Sequence, residues 1–279
     1  MSNGKLNAGM CASWLVLVLG GGDLGTGVAH RLFRCGFKVA VGELAQPTAL
    51  RRAVAFASAV YVGEIEVEGI RAVVAENACA AKTLMDQGLI PVMTSGPHRL
   101  RSMVSPHIIV DARMAKRNLG TRLQDAPIVV GLGPGFTAGE DVHAVVETNR
   151  GHYLGRVILA GLAEPDTGVP GPVQGHARDR VLWSPCYGRF GTVLSIGDRV
   201  TRGQQVASVS GIGIVAHIQG VVRGLAHDGL VVQEGQKVGD IDPRGVREYC
   251  FTISDKARAV AGGVLEAILF LQRHPPKRG

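Results

Sequence analysis

The sequence predicts an α/β protein in two parts: a doubly wound unit of alternating strands and helices, then a smaller all-β unit, with a C-terminal helix packing back on the first. Three observations point there. Apolar runs of strand length alternate with helical patterns over the first half of the chain. Glycine makes up 39 of the 279 residues, roughly twice the ordinary usage, which suits many tight turns between short buried strands. From residue 188 onward a phrase recurs at a spacing of 32, the mark of one hairpin geometry built twice.

Residues 1–12 read as a loose tail. Trp14-Leu-Val-Leu-Val-Leu19 is an unbroken apolar strand, Gly20-Gly-Gly-Asp-Leu-Gly25 a loop, and Leu24, Val28 and Leu32 one face of a helix that stops at Gly36. A second buried strand covers 37–41. A helix is expected over 47–56, strands at 59–62 and 70–74, a helix at 78–87 and a strand at 89–93. Strands at 107–110, 127–130, 144–147 and 156–159 then lead to a Pro/Gly-rich bridge at 164–172. That bridge marks a boundary, dividing the chain into 1–170, 171–248 and 249–279. The last segment reads as a strand at 249–253 and a helix with Ser254 as its N-cap. Ala257, Val260, Ala261, Val264, Leu265, Ile268 and Leu269 would form the buried side of that helix. Its Gly262-Gly263 pair costs about 1 kcal/mol per residue relative to alanine, so another backbone or a ligand is expected close by.

In the repeat, Gly188, Gly197, Val200, Gly203, Gln204 and Val206 recur as Gly220, Gly229, Val232, Gly235, Gln236 and Val238. Neither copy can bury its faces alone, so the two should pack together about a pseudo-two-fold axis. The phrase from Gly197 to Gln204 resembles biotinyl/lipoyl-type barrel-sandwich hybrids, whose carriers expose a modifiable lysine between the copies. The link at 210–219 contains no lysine. A barrel-sandwich-like domain is therefore expected without its swinging arm.

Apolar residues at 46% and charged residues at 19% exclude general disorder. The net charge of +7 suits an anionic ligand, an acidic partner or nucleic acid. Aromatics are scarce, and no basic block is interleaved with them, which argues against nucleic acid as the partner. Cys11, Cys35, Cys79, Cys186 and Cys250 are scattered without a CxxC, as for reduced thiols. Cys79 reads as a buried small residue of a helix and Cys186 as the more exposed thiol. No run reaches the ~20 apolar residues of a membrane helix, and no signal segment is evident. A cytoplasmic protein is expected, with no membrane association.

Gly20, Gly22 and Gly25 fit GxGxxG between a strand and a helix. The first permits the tight turn, the second admits a pyrophosphate to the backbone, and the third lets helix and strand pack closely. Glu43 ends the next strand about 20 residues on, where an acid meets ribose hydroxyls. Asp23 lies inside this Rossmann-like loop and would repel a diphosphate unless it turned away or held a metal. A second candidate follows the strand at 107–110: Arg113, Lys116 and Arg117 as cations, Asp111 and Asn118 as directional partners; a solvated basic turn is the alternative. A third is the loop 131–139, where Gly133, Gly135 and Thr137 could form an anion nest or simply a glycine turn. Histidine spacing predicts no metal site. No catalytic residue is identified by spacing.

Gly20 to Phe33, Val110 to Thr121, Gly131 to Gly139, Glu147 to Gly151, Ser254 to Arg258 and Gly262 to Ala267 form a series. Together they resemble the YqeB-type accessory proteins of selenium-dependent molybdenum hydroxylases, over about residues 14 to 270. The Rossmann-like part is similar to that of the xanthine dehydrogenase accessory factors. The resemblance implies a maturation role: holding a molybdopterin-type cofactor or its dinucleotide while selenium or sulfur is installed or the cofactor is delivered. Implied partners are the hydroxylase apoenzyme or other maturation proteins, and a homo-oligomer is compatible. Met93-Thr-Ser-Gly96 departs from the Asp-Pro that often follows this strand in related proteins, so ligand contact from that loop is not expected. Two other readings stand beside this one. One is an NAD(P)-dependent oxidoreductase with His143 or Tyr153 as proton donor. The other is a non-enzymatic module that docks on the hydroxylase through its repeat.

Overall fold

The structure, a computed structural model, describes residues 14–275. Its centre is a nine-stranded mixed sheet. The strands are β1 (Leu15–Leu19), β2 (Lys38–Gly42), β3 (Glu64–Val67), β4 (Ile70–Val74), β5 (Ile90–Met93), β6 (Ile108–Asp111), β7 (Ile128–Leu132), β9 (Ala144–Val146) and β10 (Val157–Ile158), in the order β10-β9-β7-β6-β1-β2-β5-β4-β3. Between β7 and β9 the short β8 (Thr137–Ala138) pairs separately with β11 (Gly161–Leu162). All pairings in the large sheet are parallel except β3 with β4 and β9 with β10.

β1 is apolar throughout because both faces of the sheet are covered. Val16 and Val18 face helix α1 (Asp23–Arg34) and helix α5 (Asp255–Arg273). Leu15, Leu17 and Leu19 face the other layer, formed by α3 (Ala78–Asp86) and α4 (Pro97–Val104). The last helix thus fills a slot beside α1, with Ala257, Val260, Ala261, Val264 and Ile268 buried as expected and Leu269 exposed instead. Ser254 caps it, accepting from the Ala257 N–H at 3.1 Å. Gly27 of α1 lets the helices touch: a Cβ there would lie 2.9 Å from that of Ala257.

Four local expectations are corrected. Residues 47–56 form 3-10 turns at Arg52–Val54 and Phe56–Ser58 instead of a helix, because their backbone bonds elsewhere. Phe56 N–H donates to Thr26 Oγ1, Ala57 N–H to the Gly21 carbonyl, and the Leu50 carbonyl accepts from Leu225 N–H. Residues 59–62 are a short helix, α2 (Ala59–Val62), not a strand. Residues 249–253 are no strand either: a 3-10 turn covers Arg247–Cys250. There the Tyr249 and Thr252 carbonyls accept from Arg51, and Ile253 N–H donates to Glu68. Side chains from distant segments take the place of a neighbouring strand. Cys79 lies exposed on α3 and Cys186 is half-buried, the reverse of expectation.

The second part holds β12 (Val181–Trp183), β13 (Gly188–Thr192), β14 (Arg199–Val200), β15 (Gln205–Val209), β16 (Ile212–Val215), β17 (Gly220–Leu225), β18 (Val231–Val232) and β19 (Lys237–Asp242). They form two four-stranded sheets, β12-β19-β17-β14 and β16-β15-β13-β18. The repeats exchange strands. β14 of the first copy pairs with β17 of the second, and β18 of the second with β13 of the first. Equivalent bonds recur across the copies: Gly197 N–H to the Val222 carbonyl and Gly229 N–H to the Phe190 carbonyl, each 2.8 Å. The Gln204 and Gln236 amides accept from Thr201 and Gln233 N–H at 3.0 and 2.9 Å. One buried cluster, including Phe190, Val206, Val222 and Val238, is shared by both copies. Among the described residues no helix is long and apolar enough to cross a membrane.

The paired glycines of α5 separate by environment. A Cβ at Gly263 would overlap the Gly155 carbonyl oxygen, whereas Gly262 faces open space. Gly262→Ala should therefore raise stability by up to about 1 kcal/mol, and Gly263→Ala should lower it by about 1–3 kcal/mol, read from urea unfolding midpoints. His30 of α1, only 4% exposed, gives a second expectation. Burial holds its imidazole below the ordinary value of 6.5, against the raising influence of Glu68. The unfolded chain therefore takes up a proton first on acidification, so stability falls as pH drops below about 6.5. A His30→Gln variant should show a shallower decline between pH 7.5 and 5.5.

Candidate functional site

The parallel sheet reverses its winding beside β1, with β2 leading one way and β6 the other. Crevices at the carboxyl ends of strands open at such a point. Here the crevice is a cavity of about 600 Å³. Gly20, Gly22, Asp23 and Leu24 form its glycine side, Gly42 to Ala45 one wall, Thr94 to Pro97 another, and Ala112 to Ala115 a third.

Main-chain contact shapes the glycine side. Gly20 has φ +94°, and a Cβ at Gly25 would overlap the Gly20 carbonyl oxygen. Thr26 Oγ1 donates to the Gly21 carbonyl at 2.9 Å, so the turn is tied to the helix that follows it. Gly22 is the N-cap of α1, at φ −69° and ψ −170°, and no side chain caps that helix. Its first-turn N–H groups therefore lack both an intrahelical and a side-chain acceptor. Nothing lies within 4 Å of a Cβ built at Gly22. Gly20 thus makes the tight turn and Gly25 the close helix–strand packing that their spacing assigns, while Gly22 is sterically open.

Glu43 is bound to the loop: it accepts from Gly21 N–H at 2.7 Å and Leu44 N–H at 2.8 Å while lining the cavity. Each oxygen keeps a lone pair for a hydroxyl. Asp23 is held by Arg51 at 2.8 Å, which offsets the repulsion a carboxylate would exert on a diphosphate. Arg51 is 8% exposed and also donates to the Tyr249 and Thr252 carbonyls. Sequence reasoning missed it, because its partners lie 28 to 201 positions away.

The other predicted residues disperse. Arg113 lines the cavity, but its guanidinium is paired with Asp111 and Thr121. Asp111 is buried and also accepts from Thr121. Asn118 closes a turn, accepting from Gly120 and Thr121 N–H and donating to the Thr121 carbonyl. Lys116 pairs with Asp166 at 2.6 Å and faces a different cleft, and Arg117 is exposed. Gly135 packs against the backbone of residues 116–117 and Gly133 against Thr148, so both serve close packing. Thr137, in β8, donates its N–H to Asp141. None of these last three lines the cavity. The loop at 94–96, from which no contact was expected, does line it. His143 accepts from Val129 N–H, and Tyr153 is exposed beside Arg156; both lie outside this cavity. Among the described residues no group of three His, Cys, Asp or Glu is placed to hold a metal.

Over 263 residues the sequence is 48% identical to the uncharacterized protein YqeB of Escherichia coli (strain K12). The chain is a homologue of YqeB. The match covers 94% of this chain and 49% of that relative, so the chain spans about half the relative's length. No family model matches. Solved structures with partial likeness include TcdA (CsdL), at 12% identity and TM-score 0.34 over 95% of this chain and 91% of that one. Another is an aspartoacylase family protein from Mesorhizobium loti, at 12% identity and TM-score 0.27 over 82% and 84%. The apo ectoine utilization protein EutE (DoeB) from Ruegeria pomeroyi shows 15% identity and TM-score 0.22 over 52% and 62%. Scores this low support no inference about this chain.

Replacing Arg51 by methionine should leave Asp23 and two carbonyls without their donor. The expected loss is about 2–3 kcal/mol, below that of a fully buried pair because Asp23 remains 30% exposed. Chemical denaturation at neutral pH measures it.

Proposed function

We propose that the cavity at the glycine loop holds a phosphate- and ribose-bearing cofactor, and that the protein is an accessory factor in the maturation of a selenium-dependent molybdenum hydroxylase. On this reading the ligand is a molybdopterin-type cofactor or its dinucleotide, held during selenium or sulfur installation or delivery. The observation that carries the ligand class is the uncapped start of α1 at Gly22, bare of side chain and facing a cavity of about 600 Å³. Phosphate oxygens would accept from the first-turn N–H groups, and ribose hydroxyls would donate to Glu43. Thr94 and Ser95 would meet the far end of the ligand.

Two features support a Rossmann-like description of the first part: the order β5-β2-β1-β6-β7 and the reversal beside β1. The exchanged strands β14 and β18 support a barrel-sandwich-like description of the second. A separate buried cluster in each part supports a boundary near residue 170. The molybdenum and selenium assignment rests on the sequence resemblance alone. The hydroxylase apoenzyme or another maturation protein would then be the partner. The oxidoreductase alternative loses support because neither of its candidate donors, His143 and Tyr153, borders the cavity.

Native mass spectrometry of protein purified from its own cell should reveal a retained ligand with the mass of a molybdopterin species. Gly22→Val should weaken dinucleotide binding at least tenfold without altering the unfolding midpoint, because the position is sterically open at negative φ. If every dinucleotide that binds the native protein binds this variant equally, the pocket assignment fails.

A further inference from the structure

A second cavity, of about 480 Å³, opens between the large sheet and the repeat unit. Seven cations line it, Arg51, Lys116, Arg150, Arg180, Arg223, Lys237 and Lys256, against the four acids Asp23, Glu164, Asp166 and Asp240. Most of these charges are already matched. Arg51 holds Asp23, Lys116 holds Asp166, and Arg180 holds Asp240, while Arg150 reaches outward to Asp255. Glu164 accepts from Asn149.

Three cations are left over, against one carboxylate, Glu164, whose bond is to a neutral amide. Lys237 and Lys256 have no ion pair among the described residues, and Arg223 has only Asp242 at 3.6 Å. That carboxylate is engaged in two bonds to the side chain of Arg244, at 2.6 and 2.9 Å. Arg223 is 8% exposed, and its Nε has no hydrogen-bond partner. Burying a guanidinium this way is costly unless a counter-charge arrives. Burial also lowers the pKa of Arg223, with Arg51 adding to the effect, and lowers that of Lys256. A cleft with two unpaired lysines and a weakly paired arginine, against one unpaired carboxylate, carries surplus positive charge and is complementary to a multiply charged anion.

We propose that this inter-unit cleft is a binding site for a di- or trianionic phosphate compound, with Arg223, Lys237 and Lys256 as its cationic contacts. The cleft adjoins the glycine-loop cavity, sharing Asp23 and Met114 in its wall, but its three cations line only this cleft, so the assignment does not depend on what binds at the loop. Its charge favours phosphate because a phosphoester or diphosphate carries at least the two negative charges that the surplus around Arg223, Lys237 and Lys256 calls for. Assembly of the cleft from residues 51, 116, 223, 237 and 256 also makes its occupant a link between the two parts of the chain.

Pyrophosphate titrated calorimetrically into the 279-residue chain carrying Gly22→Val tests this, since valine there would close the loop to phosphate. Binding is expected to remain, to weaken with added salt, and to fall at least tenfold in both the Arg223→Met and Lys256→Met derivatives. Arg223→Met should keep or raise the unfolding midpoint, because it removes a buried and poorly bonded charge; that separates lost binding from lost fold. Lys237→Ala, a partly exposed position, serves as a third variant. The proposal is overturned if the Gly22→Val protein binds no pyrophosphate, or if none of the three substitutions weakens binding. Citrate binding in preference to pyrophosphate would overturn the phosphate assignment. Failure of the glycine-loop reading would instead appear as unchanged dinucleotide binding in Gly22→Val alone.

Discussion

Main chain pressed against main chain at the end of β1 is the constraint on which the rest of the molecule depends. Gly25 packs against the Gly20 carbonyl so closely that no side chain fits between them. This contact fixes where α1 begins and sets its uncapped start, Gly22, in the wall of the crevice. Ala57 N–H reaches the Gly21 carbonyl, and Phe56 N–H reaches Thr26, so the segment after β2 is shaped by the same turn. Gly27 against Ala257 and Gly263 against the Gly155 carbonyl repeat the device, drawing α5 onto α1 and the edge of the sheet. Small residues decide these distances, and the distances decide the layer.

Arg51 connects that constraint to the second part. Its guanidinium spans Asp23 in the first turn of α1 and the carbonyls of the turn preceding α5. The neighbouring Arg52 donates to the Leu225 carbonyl at the end of β17. One short segment therefore touches the glycine loop, the repeat unit and the last helix. The crevice at Gly22 and the basic cleft share Asp23 and Met114 in their walls. The two cavities are therefore neighbours.

The repeat unit shows how two poor modules make one sound core. Each copy contributes a two-residue strand to the other's sheet, so neither half can form its pairing alone. The glycines at equivalent positions, Gly197 with Gly229 and Gly203 with Gly235, all take positive φ. Their recurrence at a constant spacing is therefore a record of backbone geometry. The loop between the copies has no lysine, and the unmatched charge of this unit faces the cleft instead.

By itself the sequence determined what local pattern can carry: the strand at Leu15–Leu19, the tight glycine turn into α1, the Ser254 cap, most of the apolar face of α5 and the duplicated hairpin. Each follows from periodicity or steric demand within a few residues. Tertiary structure alone decided the conformations of 47–56 and 249–253, where distant partners take the backbone bonds that a helix or strand would have used. It also decided which charged residues matter. Arg113 and Asn118, prominent in the chain, are engaged by their own neighbours, whereas Arg223 and Lys256, unremarkable there, meet at a cleft built from separate segments. Charge acts through space, so its effect depends on which segments the fold brings together, and no local pattern records that.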